Sequence, residues 1–323
     1  MSIPRSKDFE AAGQGVSRSR NLKILVDIFV GTAGFSYKDW EGTVYPKDLK
    51  KRRIHPLEYL ARFFDCCEIN TSFYGHIKPE IGRQWAAIVS AVNPRFLFTA
   101  KLNQAFTHSP LAAVQSTSAE TLRPQPEDET LARAGLDSLA STGRLGALLV
   151  QFPISFKNTV ENRAYLDRLL QRFAEYPLVL EVRHSTWNNP AMFAHLAQHG
   201  VGFVNIDQPL LGKAIRPSSH VTSRVGYVRL HGRNYKDWFE SEQRNDRYNY
   251  LYTRRELEGW AERVKTISQT AAKTFVIANN HPNGKAAVSA LEVKHLLTGG
   301  KVNGPATLVA HYPQIQEFVD AMG

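Results

Sequence analysis

The residues best suited to chemistry in this sequence are Glu181, Arg183, His184 and Trp187, which lie within seven positions. They end the stretch Leu178–Trp187, which begins with the branched apolar residues typical of a buried strand. Because alternate side chains of a strand share a face, we expect Glu181 and Arg183 on the same side. A structural ion pair that closes the strand would explain one such pair equally well. A functional interpretation therefore needs the same pattern elsewhere in the chain.

That pattern recurs where other predicted strands end. Apolar runs predict strands at 24–30, 66–70, 96–100, 145–150, 202–206, 226–232 and 274–278, besides the one that begins at Leu178. The polar residues at strand ends are Glu68 and Asn70, Lys101, Gln151, Glu181 and Arg183, Asp207, Arg229 and His231, and Asn279. In a parallel barrel the carboxyl ends of all strands meet at one face. We therefore expect these side chains to converge in one cup.

The order of elements predicts the fold class. Segments with a helical apolar stripe separate the strands, which gives about eight strand-then-helix units, the number that closes a barrel. We predict an α/β protein with a single TIM-type (β/α)8 barrel domain over residues 23–323. Residues 1–22 are rich in Ser, Gly, Arg and Lys without an apolar period, and are expected to form a disordered basic tail.

The residue types in the cup predict acid–base chemistry on an anion. A carboxylate beside a cation stays ionised and can act as a general base, and histidine titrates near neutral pH. Lysine and arginine clamp phosphate or carboxylate groups. The predicted catalytic residues are Glu68, Lys101, Glu181, Asp207 and His231. The predicted substrate-binding residues are Asn70, Tyr74, His108, Gln151, Arg183, His184, Trp187, Arg229, Asn279 and Asn280.

Composition narrows the class of protein. The 323 residues carry 40 Lys plus Arg and 30 Asp plus Glu, a net charge of +10, and 43% are hydrophobic, which is ordinary for a globular chain. No apolar run approaches the ~20 residues of a membrane helix, and no secretory signal is evident. The two cysteines are adjacent and predict neither a disulfide framework nor a zinc site. We expect a cytoplasmic location without membrane contact.

The basic run 47–53, with five positive charges, has two interpretations. A run of this kind is usually a solvated loop, but it would also attract phosphate or nucleic acid if it lay on the rim of the cup.

Several motifs resemble the YecE-like family, the domain of unknown function 72. They are Val30–Tyr37 with Trp40 and Tyr45, Glu68–Tyr74, Glu181–His184 with Trp187, Arg229–Asn234, and Asn279–Pro282. The resemblance spans roughly residues 30–296 and implies a TIM-type barrel similar in architecture to the endonuclease IV and xylose isomerase group. It implies no particular activity. Ala278 and the basic run 47–53 depart from the family pattern.

These observations favour an enzyme that acts on an anionic substrate, phosphorylated or nucleic acid, at the carboxyl mouth of the barrel. One alternative is a non-catalytic nucleic-acid-binding protein that uses the basic run and the tail. Another is a metal-dependent phosphodiesterase similar to endonuclease IV, with a divalent metal held by the carboxylates and histidines. No cofactor is predicted, because no compact metal motif occurs and nearby cations would repel a metal ion. We expect Arg229→Ala to abolish binding of the anion with little change in thermal stability.

Overall fold

Eight apolar runs form parallel strands in the computed structural model, which describes residues 28–109, 117–122, 124–235 and 246–323. The strands are β1 Ile28–Ala33, β2 Cys66–Ile69, β3 Leu97–Lys101, β4 Leu145–Gln151, β5 Leu178–Glu181, β6 Gly202–Asp207, β7 Val225–Leu230 and β8 Lys273–Ala278. Each strand pairs with the next and β8 pairs with β1, so the sheet closes into a barrel. The predicted TIM-type barrel is confirmed. The predicted basic tail, residues 1–22, lies outside the described residues.

Helices connect most of the strands. They are α1 Pro56–Leu60, α2 Thr71–Tyr74, α3 Pro79–Val92, α4 Pro126–Ala140, α5 Val160–Arg172, α6 Pro190–Gln198, α7 Arg254–Ser268, α8 Lys285–Thr298 and α9 Ala306–His311. Proline begins four of them, where its fixed φ suits the first turn and its missing N–H is not needed. Residues 208–224, between β6 and β7, contain no helix. The prediction of eight strand-then-helix units is corrected there, because Pro209, Gly212 and Pro217 interrupt any helical pattern.

The first strand runs further than predicted. β1 begins within the predicted segment and continues through Gly31 to Ala33, while residues 24–27 lie outside the described residues. A Cβ at Gly31 would lie 1.8 Å from the Cys66 carbonyl oxygen. Glycine is therefore required here for the close approach of β1 to β2.

An aromatic layer fills the barrel beneath its carboxyl mouth. The rings of Phe29 and Phe275 stack with centroids 5.2 Å apart, and the Tyr227 ring lies 5.9 Å from Phe275. Gly146 faces the same layer, since a Cβ there would lie 2.4 Å from Phe275 Cζ. All three aromatic residues are buried. The polar side chains that follow along the strands consequently rest on a packed floor.

The chain after β8 adds a small parallel pair, β9 Val302–Pro305 and β10 Val319–Met322. Strand β9 also contacts the last crossover helix, α8. Among the described residues, no helix combines the length and apolar character needed to cross a bilayer.

Candidate functional site

Arg229 is held between two buried carboxylates at the mouth of the barrel. Its Nη2 donates to Glu68 Oε1 over 2.6 Å, and its Nη1 donates to Glu181 Oε2 over 2.5 Å. Both carboxylates are fully buried, and Arg229 is 2% exposed. Burial by itself raises the pKa of Glu181, but the adjacent positive charge, chiefly that of Arg229, outweighs it and holds the pKa well below its usual range. Glu181 is therefore an anion that fixes the guanidinium.

Hydrogen bonds from below fix the second carboxylate. Tyr227 donates its hydroxyl to Glu68 Oε2 over 2.8 Å, and Thr99 Oγ1 lies 2.7 Å from the same hydroxyl. Thr99, Tyr227 and Glu68 are all buried. The hydroxyl of Tyr227 thus links the aromatic floor to the charged layer.

His231 completes the network as a neutral imidazole. Asn279 Nδ2 lies 2.9 Å from His231 Nδ1, and His231 Nε2 lies 3.2 Å from Glu181 Oε1. An amide that donates to Nδ1 leaves the proton on Nε2, which then donates to the carboxylate. Burial lowers the pKa of His231 to about 3, although the negative charge of Glu181 opposes that shift. The predicted proton shuttle is therefore fully buried and uncharged at neutral pH.

Arg183 approaches Glu181 from the side of the solvent. Its Nε lies 2.9 Å from Glu181 Oε1, and its side chain is 14% exposed. The two arginines, Arg183 and Arg229, balance the charges of the two carboxylates Glu68 and Glu181. Any further positive charge in this cluster is therefore unbalanced.

Lys101, at the end of β3, supplies that further charge. Burial lowers its pKa to about 7, and the neighbouring Arg229 contributes to the shift. Its Nζ lies 3.6 Å from the centroid of the Phe73 ring, a contact that favours the ammonium form and so opposes the shift. Within the described residues, Nζ makes no hydrogen bond or ion pair. Near neutral pH this amine exists in both protonation states.

A cavity of about 1040 Å³ opens above this cluster. Lys101, Arg183 and Arg229 line it, whereas none of its described lining residues is Asp or Glu. The carboxylates lie beneath the arginines and face away from the open space. Small-molecule sites typically have volumes of roughly 300–1,000 Å³, so the cavity is large enough for a metabolite.

Comparisons with known proteins show the family to which this chain belongs. The profile of the family described as "Protein of unknown function DUF72" matches residues 29–311. This protein belongs to the DUF72 family. It is 25% identical to the UPF0759 protein YunF of Bacillus subtilis over 280 aligned residues. The alignment covers 84% of this chain and 94% of YunF.

Solved DUF72 structures have the same architecture. A DUF72 family protein from Thermotoga maritima is 31% identical, with a TM-score of 0.70 over 84% of this chain and 98% of the other. One from Enterococcus faecalis is 26% identical, with a TM-score of 0.69 over 84% and 95% of the two chains. The resemblance inferred from the motifs is confirmed.

Several other predicted residues of this DUF72 protein line the same cavity. They are Asn70, Tyr74, His108, Gln151 and Asn279. Tyr74 is 65% exposed, and His108 packs edge-on against Phe73 with centroids 4.8 Å apart. The structure thus gathers side chains from six strand ends around one opening.

Asp207 lies in a different cluster. Arg233 Nε lies 2.9 Å from Asp207 Oδ2, and Arg233 Nη1 lies 3.0 Å from Glu256 Oε1. Asp207 is 1% exposed and does not line the cavity. The structure separates this predicted base from Glu68 and Glu181, because its side chain is turned toward the start of α7.

Three predicted binding residues have structural contacts instead. His184 Nδ1 accepts the backbone N–H of Thr186 and caps a short 3-10 helix. Trp187 is fully buried and donates Nε1 to the Phe156 carbonyl over 2.7 Å. Asn280 is fully buried, and its Nδ2 donates to the Tyr250 carbonyl and to Ser289 Oγ. None of the three predicted residues lines the cavity.

The cavity also has walls formed by residues that were not among the predicted catalytic and substrate-binding residues. His281 stacks on Tyr37 with centroids 4.4 Å apart, and burial lowers the pKa of His281 to about 4. Gln208 and Arg247 line another side. Gln208 follows Asp207 directly, so the end of β6 was the signal that would have identified it.

The basic run 47–53 lies outside the cavity lining. Its charged side chains are exposed, and Lys50 pairs with Glu41 over 2.6 Å. The run is therefore not part of the cavity wall, and its exposed side chains agree with the solvated-loop interpretation. In the described part of the chain, no three His, Cys, Asp or Glu residues are grouped so that they could hold a metal ion.

Proposed function

We propose that this DUF72 protein is an enzyme that binds a small anionic substrate in the cavity and transfers protons to or from it. The observation on which the proposal depends is the positive charge of the side chains that line the cavity floor. Lys101, Arg183 and Arg229 line the cavity, and no acidic residue is found among its described walls. An anion with phosphate or carboxylate groups is the ligand that such a surface attracts.

Unbonded donors support the same ligand. Arg229 Nε and Gln208 Nε2 are buried and make no hydrogen bond within the described residues. A buried donor without a partner costs about 1–3 kcal/mol. Both residues line the cavity, but the two nitrogens themselves are buried, so an oxyanion would pair with them only after the side chains shift.

The proton-transfer role belongs to Lys101. Glu68, Glu181 and His231 are fully buried beneath the cavity, whereas Lys101 lines it. A general acid or base works best when its pKa is near the operating pH, and that of Lys101 is about 7. The buried carboxylates serve to orient the arginines.

A small molecule fits the site better than a nucleic acid. The cations lie on the floor of a concave site, where Arg229 is only 2% exposed. A phosphate within a polymer backbone would need an open groove to reach them.

Titration calorimetry with inorganic phosphate tests the proposal. We expect Arg183→Gln to weaken binding at least about tenfold, because a hydrogen bond to a charged group contributes about 1.5–3 kcal/mol. Lys273→Gln, which changes an exposed lysine at the start of β8, is the matched control and should bind as the wild type does. Absence of phosphate binding, or equal binding by the Arg183 variant, would overturn the anion site.

A second measurement tests turnover. Small phosphomonoesters and carboxylates are incubated with the protein and followed by NMR. Conversion that disappears in Lys101→Met and persists in Lys273→Gln supports the enzyme. Conversion that survives in Lys101→Met contradicts the role of this amine.

A further inference from the structure

We propose that Lys101 is a nucleophile that forms a covalent imine with the carbonyl group of an anionic substrate. The inference rests on the proposed function, since the same cavity must first bind the anion. It names the substrate class as an aldehyde or ketone that carries a phosphate or carboxylate.

The position of Lys101 is the first part of the argument. The residue ends β3 and lines the cavity, and its Nζ has no hydrogen-bond or ion-pair partner within the described residues. Arg229 and Arg183 are instead bonded to buried carboxylates. A lysine that served only to neutralise charge would be expected to have an acidic partner.

The charge balance of the cluster favours the neutral form of the Lys101 amine, which is the second part of the argument. The groups that face Lys101 are Arg229 on β7, Arg183 and Glu181 from the end of β5, and Glu68 on β2. These four charges sum to zero, so a protonated Lys101 would add an uncompensated charge beside two guanidinium groups. The neutral amine is therefore favoured, and a lone pair on nitrogen is what attack on a carbonyl requires. The lowered pKa of Lys101 agrees with this result.

The described walls of the cavity contain no acidic group, which is the third part of the argument. A carboxylate nucleophile or base would have to lie in the cavity, but Glu68 and Glu181 are fully buried beneath it. Lys101 is thus the reactive amine that lines the cavity next to the anion-binding arginines.

The step balances without a further reactant. Nζ of the neutral amine attacks the carbonyl carbon, a C–N bond forms, and the electrons of the C=O π bond move to oxygen. Two protons pass from nitrogen to that oxygen, the C–O bond breaks, and water leaves. The imine nitrogen then takes up a proton from solvent, and the anionic group of the substrate offsets the new charge.

Reductive trapping of the full-length protein tests the inference. Glyoxylate, the smallest aldehyde that carries a carboxylate, is added with sodium cyanoborohydride, and peptide mass spectrometry locates the resulting carboxymethyl group. We expect Lys101 to be labelled at least about tenfold faster than exposed lysines such as Lys273 at pH 7, because those remain protonated. Inorganic phosphate should slow the labelling by competition.

Two variants and a neutral probe complete the design. Lys101→Met should remove the fast phase, and Lys273→Met should leave it unchanged. Arg183→Gln should slow labelling by glyoxylate much more than labelling by uncharged acetaldehyde, because only glyoxylate uses the arginine. Labelling of Lys101 no faster than that of Lys273 would overturn the imine.

The phosphate titration separates the two proposals. Phosphate binding that depends on Arg183, without fast labelling of Lys101, overturns the imine and leaves the anion site intact. Absence of both phosphate binding and labelling overturns both proposals. Fast labelling together with phosphate competition supports both.

Discussion

Arg229 Nη1 lies 2.5 Å from Glu181 Oε2, and neither side chain is more than 2% exposed. The other arm of the same guanidinium bonds Glu68, so one arginine bridges two carboxylates in the barrel mouth. This relationship reverses the expectation, drawn from the sequence, that replacing Arg229 would leave stability nearly unchanged. The guanidinium is part of the core as well as the floor of the cavity.

Arg229→Met should lower the free energy of unfolding by about 3–5 kcal/mol, because it leaves two buried carboxylates without their bridging cation. Urea unfolding measures the loss. Arg254→Met is the control, since Arg254 forms an exposed pair with Glu258 and its loss should cost less than about 0.5 kcal/mol. Equal losses in the two variants would contradict the bridge.

Tyr227→Phe should destabilise the protein by about 1–3 kcal/mol, because one oxygen of buried Glu68 loses its donor. Tyr165→Phe, which removes a hydroxyl bonded to the Phe106 carbonyl in a less buried place, should cost about 0.5–1.5 kcal/mol. Chemical denaturation of both variants gives the comparison. A Tyr227 variant as stable as the wild type would show that Glu68 does not depend on this hydroxyl.

Lys101 predicts a pH dependence of stability. Because its pKa is lowered to about 7 in the folded protein, the unfolded chain binds more protons between about pH 7 and 10.5, and stability from this group rises with pH over that window. Relative to Lys101→Met, the wild type should therefore be least stable at pH 6 and should gain as the pH approaches 10. Unfolding free energies at pH 6, 8 and 10 measure the difference. A constant difference would mean that the lysine keeps its ordinary pKa.

Substitution of glycines inside the barrel by alanine should affect stability differently from the same substitution at a helix glycine with open space around it. Gly146→Ala should destabilise by about 1–3 kcal/mol, because its Cβ would lie 2.4 Å from Phe275 Cζ. Gly31→Ala should cost more, since the clash there is with backbone. Gly259, in α7, has nothing within 4 Å, and Gly259→Ala should stabilise by about 0.5–1 kcal/mol. Melting temperatures that fail to rank the three variants in this order would contradict the packing described here.

The strand pattern predicted the barrel because a buried parallel strand must be apolar along its length. Polar residues such as Lys101 and Arg229 could then be assigned to the carboxyl mouth, since inward side chains at strand ends meet at one face. The missing helix between β6 and β7 and the pair β9–β10 were not predicted. Their sequences lack the long periodic stripe on which such predictions depend.

The sequence by itself determined which strands end in charged residues and that their ends share one face of the barrel. Only the tertiary structure decided which charges pair. Glu68, Glu181 and Asp207 have the same ionisable group at strand ends, yet two lie beneath Arg229 and the third turns to Arg233. Trp187 likewise follows the same motif as Arg183 but packs in the core. The physical reason is that side-chain direction and burial depend on neighbours distant in sequence, which strand periodicity does not encode.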